Sequence, residues 1–226
     1  MKKFIAATFL ILYSSISIAH MAHYNKYNKI EMEIFRNNEL IGYNFYFFTR
    51  NGDETIVTNQ IKFSVKLLGA TIFQIEGYGE EKYFKDQLIS YKSKTFQNDK
   101  EKYVNLYFDE SSNEYDIKGS SYSGKASKDN VIGNWWNHKI LQAKSQISPI
   151  SGSVKKQIVT FVGKEEIILY GKNYEANRFT LESKDMSLPK DKRLNFNIWY
   201  DQKSYRVLKV SYSRMGNWEY RLKNFK

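Results

Sequence analysis

From Asn28 onward, apolar side chains recur at every second position, the period of a strand that turns one face to a core. Ile30, Met32 and Ile34 share a face, and Asn37-Asn38 offers a turn. Ile41, Tyr43, Phe45 and Phe47 then share a face before Asn51-Gly52-Asp53 reverses the chain. The Asn-Gly pair takes the positive φ that a tight hairpin needs, and Gly42 marks a bulge or a close approach of another backbone. The rhythm continues over residues 55–68, bends at Gly69, and resumes over 71–76 and 83–96. Val104, Leu106 and Phe108 alternate again, Asp109 to Asn113 turn the chain, and a weaker strand follows near 115–119.

Residues 119–134 are rich in Ser, Gly, Lys and Asp and read as a flexible loop. Directly after them the rhythm breaks. Trp136, Ile140 and Ala143 fall at spacings of four and three, which predicts a short helix that plugs one end of a curved sheet and stops before Pro149. Strand spacing returns from Ile150, with turns at Ser151-Gly152-Ser153, Gly171-Lys172-Asn173 and Met215-Gly216-Asn217. Leu194, Phe196 and Ile198, then residues 205–212, then Trp218, Tyr220 and Leu222 form the most regular run. The pattern predicts a mainly β fold built on an antiparallel curved sheet, a sandwich or a partly open barrel, with one short helix.

The amino terminus changes the setting. Lys2-Lys3, an apolar run from Phe4 to Tyr13 and the small-residue exit Ser17-Ile18-Ala19 read as a secretory signal peptide cleaved after Ala19. A retained anchor is the rival, but Tyr13, Ser14, Ser15 and Ser17 interrupt a run already short of the ~20 apolar residues a bilayer requires. The organisation expected is a signal peptide over 1–19, a flexible mature amino terminus over 20–27 and a single β-rich domain over 28–226, in a periplasmic or secreted protein. The chain has no cysteine, which excludes disulfides, thiolate metal sites and a cysteine nucleophile, so stability must come from packing.

Lys and Arg number 35 against 24 Asp and Glu, a formal charge of +11, or +9 once Lys2 and Lys3 leave with the signal peptide. Such an excess attracts anionic lipid, cell-wall polymer or nucleic acid. The lysines are scattered and no nucleic-acid-binding module accompanies them, so nucleic acid is not an expected partner.

Three stretches carry a family resemblance. Residues 176–181 (Ala-Asn-Arg-Phe-Thr-Leu), Phe196-Asn197-Ile198-Trp199-Tyr200-Asp201 and 216–222 (Gly-Asn-Trp-Glu-Tyr-Arg-Leu), with Glu39-Leu40-Ile41-Gly42 and Trp135-Trp136-Asn137, resemble an uncharacterised secreted bacterial family classed as a domain of unknown function. That resemblance implies a half-barrel like those of periplasmic lipoprotein carriers, in which a strongly curved antiparallel sheet wraps apolar material. It brings no catalytic residues. The lead into the central tryptophans, Gly133-Asn134, departs from the small polar residues usual there, which puts the local shape in doubt.

Candidate chemistry is sparse. His20 and His23 would offer nitrogen ligands near a new amino terminus, but no carboxylate accompanies them and they read as incidental. His138 is a general base only if a serine and an acid approach it in the fold. Glu80-Glu81, Asp109-Glu110 and Glu165-Glu166 are adjacent and point to opposite faces of a strand, unlike a catalytic pair aimed across a substrate. Asp201 reads as a turn former.

The aromatic residues Phe45, Phe47, Trp135, Trp136, Trp199 and Trp218 are the candidate lining of a groove for an acyl chain, with ordinary core packing as the alternative. The expected function is non-catalytic binding of a lipid or other apolar envelope ligand, held between the concave sheet and a movable helix or loop. Peripheral membrane contact is compatible with it, and no cofactor or metal is implied. The alternatives are an envelope structural or protein-interaction module, joined to an envelope protein by sheet extension, and a cryptic hydrolase working through His138.

Overall fold

The computed structural model describes Tyr24 and residues 26–226. The signal segment, His20 and His23 lie outside the described residues. Eight strands follow one another as antiparallel neighbours: β1 (Lys29–Arg36), β2 (Glu39–Asn51), β3 (Glu54–Leu67), β4 (Ala70–Phe84), β5 (Gln87–Gln97), β6 (Lys100–Asp109), β7 (Glu114–Gly119) and β8 (Ser123–Ser127). Two short strands, β9 (Val131–Ile132) and β10 (Ser145–Ile147), pair in parallel. A second meander then runs through β11 (Val154–Leu169), β12 (Lys172–Ser183), β13 (Asn195–Asp201), β14 (Val207–Ser213) and β15 (Asn217–Phe225). β15 pairs with β1, which joins the two meanders into one 15-stranded sheet ordered β8-β7-β6-β5-β4-β3-β2-β1-β15-β14-β13-β12-β11-β10-β9.

This order corrects the half-barrel. The sheet is mostly antiparallel, as the alternation requires, but it is open, with β8 at one edge and β9 at the other, and is not strongly curled. Local alternation specifies each hairpin, whereas closure would need β8 and β9 to exchange ladder hydrogen bonds. Only a turn joins them, Asn130 N–H donating to the Ser127 carbonyl, and the two residues of β9 pair with β10 instead.

The short helix is corrected as well. No α-helix is present among the described residues, and its place is taken by a 3-10 turn, His138–Leu141. Asn137 is extended, at φ −92° and ψ 104°, and its side-chain oxygen accepts from the Lys139 N–H. That local bond competes with a helix running back to Trp136. Trp136 and Ile140 are both buried, so their spacing reported burial on a non-helical backbone.

Alternation in β2 fixes which side chains share a face but not which face is inside. Ile30 pairs with Tyr46 and Met32 with Asn44, so the inner set is Asn44, Tyr46 and Phe48, while Tyr43, Phe45 and Phe47 lie on the outer side, half-buried. Gly42 behaves as its position suggested. A bulge between Ile34 and Phe35 faces it, and a Cβ there would lie 2.1 Å from the Lys62 carbonyl oxygen and 2.4 Å from Phe63 Cβ. Tyr24 and Tyr27, within the segment expected to be flexible, are buried, and Arg50 Nη2 donates to both of their carbonyls, at 2.5 and 2.8 Å.

Candidate functional site

The middle of the inner face is closed by residues 133–142, the plug. Trp136 sits there fully buried, its ring edge-on to Tyr24, Phe48 and Tyr83 at centroid distances of 5.2, 5.3 and 5.9 Å. Its indole N–H donates to Glu81 Oε1 at 2.9 Å, and Asn134 Nδ2 donates to the same oxygen at 2.7 Å. The Tyr83 hydroxyl donates to Glu81 Oε2. Glu81 stands on the inner face of β4 while Glu80 points outward beside Lys82, the opposed orientation expected of adjacent strand residues.

Burial pushes the Glu81 carboxyl above its usual range, and the bonds from Tyr83, Trp136 and Asn134 oppose that shift in part. Burial and the neighbouring carboxylate together raise the Tyr83 phenol well above its ordinary value. The Tyr200 hydroxyl ties the plug from another strand, donating to the Trp135 carbonyl at 2.8 Å. His138 lies in this packing, its ring 5.9 Å from Tyr24 and 5.5 Å from Tyr205. The plug is anchored to β4 and β13 by hydrogen bonds and to Tyr24 of the amino-terminal segment by ring packing.

The six candidate aromatics do not converge. Trp136 is in the plug. Trp135 packs edge-on to Tyr220 at 4.7 Å and Phe196 at 5.6 Å. Phe45 and Phe47 lie outside under the Lys29 ammonium, at 4.7 and 5.0 Å. Trp199 stands on the outer face between Arg178 and Lys209, with its indole N–H on Glu165. Trp218 is on the inner side at the end of the sheet, stacked on Tyr212 at 5.7 Å and edge-on to Phe63 at 5.3 Å. Period-two spacing cannot separate these sets, because both faces of this sheet carry aromatic rings.

Two recesses open at the end of the sheet formed by the β1–β2, β3–β4, β5–β6 and β14–β15 turns. One, of about 480 Å³, is lined by polar groups that include Asn37, Asn38, Asn197 and Asn217, together with Tyr212 and Trp218. Asn37 Oδ1 accepts from the Asn217 N–H at 2.9 Å, Asn38 Oδ1 from Arg221 at 3.1 Å and Asn197 Oδ1 from Arg178 at 2.8 Å. Each partner can only donate, so the amide orientation is fixed and the NH₂ ends remain as donors. The second recess, of about 390 Å³, is the more apolar of the two: Ile41, Phe63, Ile75 and Phe96 line it beside polar groups that include Lys62, Gln74 and Glu76.

Trp218 borders the first recess and Phe63 the second, and their rings meet edge-on on the inner side of the sheet at 5.3 Å. One end of the sheet thus carries an amide-lined hollow and a more apolar one, linings suited to the polar head and the apolar tail of an amphiphile. Of the six candidates only Trp218 lines either recess, and sequence reading missed Phe63, Ile75, Phe96 and the asparagines. Four of the asparagines had a signal: Asn37, Asn38, Asn98 and Asn217 cluster at turns of one end once strand order is known. Among the described residues no group of three or more His, Asp and Glu is placed to hold a metal, and no helix is long and apolar enough to cross a membrane.

No curated protein matches the sequence. Among solved structures, a beta-barrel-like protein of the domain of unknown function DUF1849 from Brucella abortus superposes with a TM-score of 0.62 at 10% identity, covering 88% of this chain and 96% of that one. A putative exported protein with a YmcC-like fold from Bacteroides fragilis matches at 10% identity with a TM-score of 0.36, over 88% of this chain and 94% of that one. The first of these likenesses concerns the fold alone, and neither is to a lipoprotein carrier. A family model described as Domain of unknown function (DUF6134) matches residues 32–223, and the chain belongs to that family.

Proposed function

We propose that the protein is an exported, non-catalytic binding module for an amphiphile, taken up at the paired recesses on the Trp218–Phe63 end of the sheet. The observation that carries this reading is the pair of linings at one end of the sheet, donor amides on Asn37, Asn38 and Asn197 in one recess and Phe63, Ile75 and Phe96 in the other. The mechanism expected from sequence, burial under a movable helix, gives way to binding at the rim. The plug already covers the middle of the inner face, and releasing it would strip Glu81 of two donors, Asn134 and Trp136, in a buried setting. A volume near 400 Å³ lies at the small end of ligand sites, which favours a single acyl chain over a two-chain lipid. Export rests on the amino-terminal signal pattern.

Titration of the delipidated mature protein with a fluorescent single-chain lysophospholipid tests the reading. Saturable binding is expected, lost in Phe96→Asp, a half-exposed position whose change leaves the circular dichroism spectrum intact. Absence of binding, or equal binding by the variant, removes the recess from consideration. Native mass spectrometry of protein taken gently from its own compartment supplies the natural ligand class.

A further inference from the structure

The turns of this sheet divide by composition. Where the backbone enters the left-handed region, most positions carry residues suited to it or able to stay in water: Asn37, Asn38, Lys85, Asp86, Asn98 and Asn113. Two turns at the recess end do not. Leu68 has φ 51° and is 100% exposed, with Leu67 beside it at 60%, and Met215 has φ 50° and is 84% exposed. A left-handed conformation costs a non-glycine side chain about 1 kcal/mol, more than Asn pays there; the Met215 carbonyl accepts from Arg36 at 3.0 Å, but neither tip's side chain gains packing in return. Tyr170, a comparable apolar turn residue at the opposite end, does have a packing role: its hydroxyl donates to Glu33 at 2.5 Å and Lys223 lies 4.2 Å above its ring.

The tip at Leu68 also stands proud of its neighbour. The last pair between β4 and β5 is Ile75–Gln97, while the β3–β4 hairpin runs on to Leu67–Ala70 and carries Ile72 exposed on its extension. Each tip adjoins an exposed cation in sequence, Lys66 and Arg214. Arg214 also donates to the Arg193 carbonyl, which links the β14–β15 turn to the loop bearing Lys190 and Lys192. With Lys100 and Lys184, the cations at this end outnumber the acids Glu39, Asp99, Asp185 and Asp191.

We propose that this end docks on an anionic lipid bilayer, with Leu67, Leu68 and Met215 entering the interface and Lys66, Arg214 and the 190–192 turn meeting headgroup phosphates. Apolar tips rimmed by cations match that chemistry twice over. Burying Leu and Met side chains in the acyl boundary drives insertion, and each nearby cation adds attraction to an anionic surface. The docking stands apart from the recess reading, although the apolar recess opens beside the same hairpin.

Sedimentation with vesicles tests it, using phosphatidylcholine alone and phosphatidylcholine mixed equally with phosphatidylglycerol. The mature protein is expected to sediment with the mixed vesicles and not with phosphatidylcholine alone. The double variant Leu68→Asn, Met215→Asn is expected to weaken that partition about tenfold or more. Asn suits a left-handed φ, so the variant keeps or raises the thermal midpoint, and it retains the soluble lysophospholipid probe, which separates failure of docking from failure of the recess. Wild-type partition by the double variant, or no partition by the wild type, overturns the proposal. So does self-association of the wild type through these tips in the absence of vesicles, which would assign them to a protein interface.

Discussion

The plug and the rim use the same residue types to opposite ends. At the plug, Asn134, Asn137, Trp136 and Tyr83 satisfy one another and Glu81 within a buried cluster, and Trp136 has no exposed surface. At the rim, Asn37, Asn38 and Asn197 have only their oxygens engaged, and Trp218 borders an open recess. A fully satisfied polar network rigidifies a core, whereas donors held in place but left open are available to a ligand. An aromatic residue next to an asparagine therefore says little about function until the destination of the amide N–H is known.

Breaking the plug gives the largest effect expected of any single change. Trp136→Ala removes a fully buried indole from among three rings and leaves Glu81 short of a donor, which costs about 4 kcal/mol. Chemical denaturation measures it, and a loss below about 1 kcal/mol would show that the plug contributes little to the stability of the sheet.

Gly42→Ala comes next and sharpens the contrast from the rim side. The new methyl meets the Lys62 carbonyl and Phe63 backbone, neither of which is a flexible side-chain end, so β2 must shift against β3, costing about 2 kcal/mol. Because Gly42 and Phe63 both line the apolar recess, probe affinity falls together with the thermal midpoint. An unchanged midpoint would mean that the rim is pliable.

The smallest effect is a pH slope from Glu81. Its folded-state pKa is raised by burial, so between the ordinary glutamate value and that raised value the folded chain binds more protons than the unfolded one. Stability is then greatest at the acid side of this window and falls as pH rises through it, by at most about 1.4 kcal/mol per pH unit. Glu81→Gln keeps an acceptor for Trp136 and Asn134, and is expected to flatten that slope while leaving probe binding unchanged. An identical slope in the variant would assign the titration elsewhere.

Much of the strand pattern was legible because a side-chain period of two is a local property. Ile30, Met32 and Ile34 are all buried, as alternation requires. Asp201 is the turn former its position suggested, accepting from the Ser204 N–H at 2.7 Å and the Lys203 N–H at 3.1 Å. The candidate site was legible only in Trp218. Phe45 and Phe47 belong to a run that is apolar at odd and even positions alike, so nothing local sets the inner face, and pairing with β1 decided it. Trp199 is on the outer face yet buried, because Arg178 and Lys209 cover its ring and supply the attraction that other rings supply inside.

Sequence by itself determined the strands, most of their turns, the absence of disulfides and the close approach at Gly42, because each depends on neighbours in the chain or on composition. Tertiary structure alone decided that β1 joins β15, that the sheet stays open, that residues 133–142 are a pinned plug without a helix, and that asparagines from hairpins far apart in sequence share one rim. Those outcomes rest on pairings between strands as distant as Ile30 and Phe225, and on which buried donors find Glu81. Neither is written in a local period.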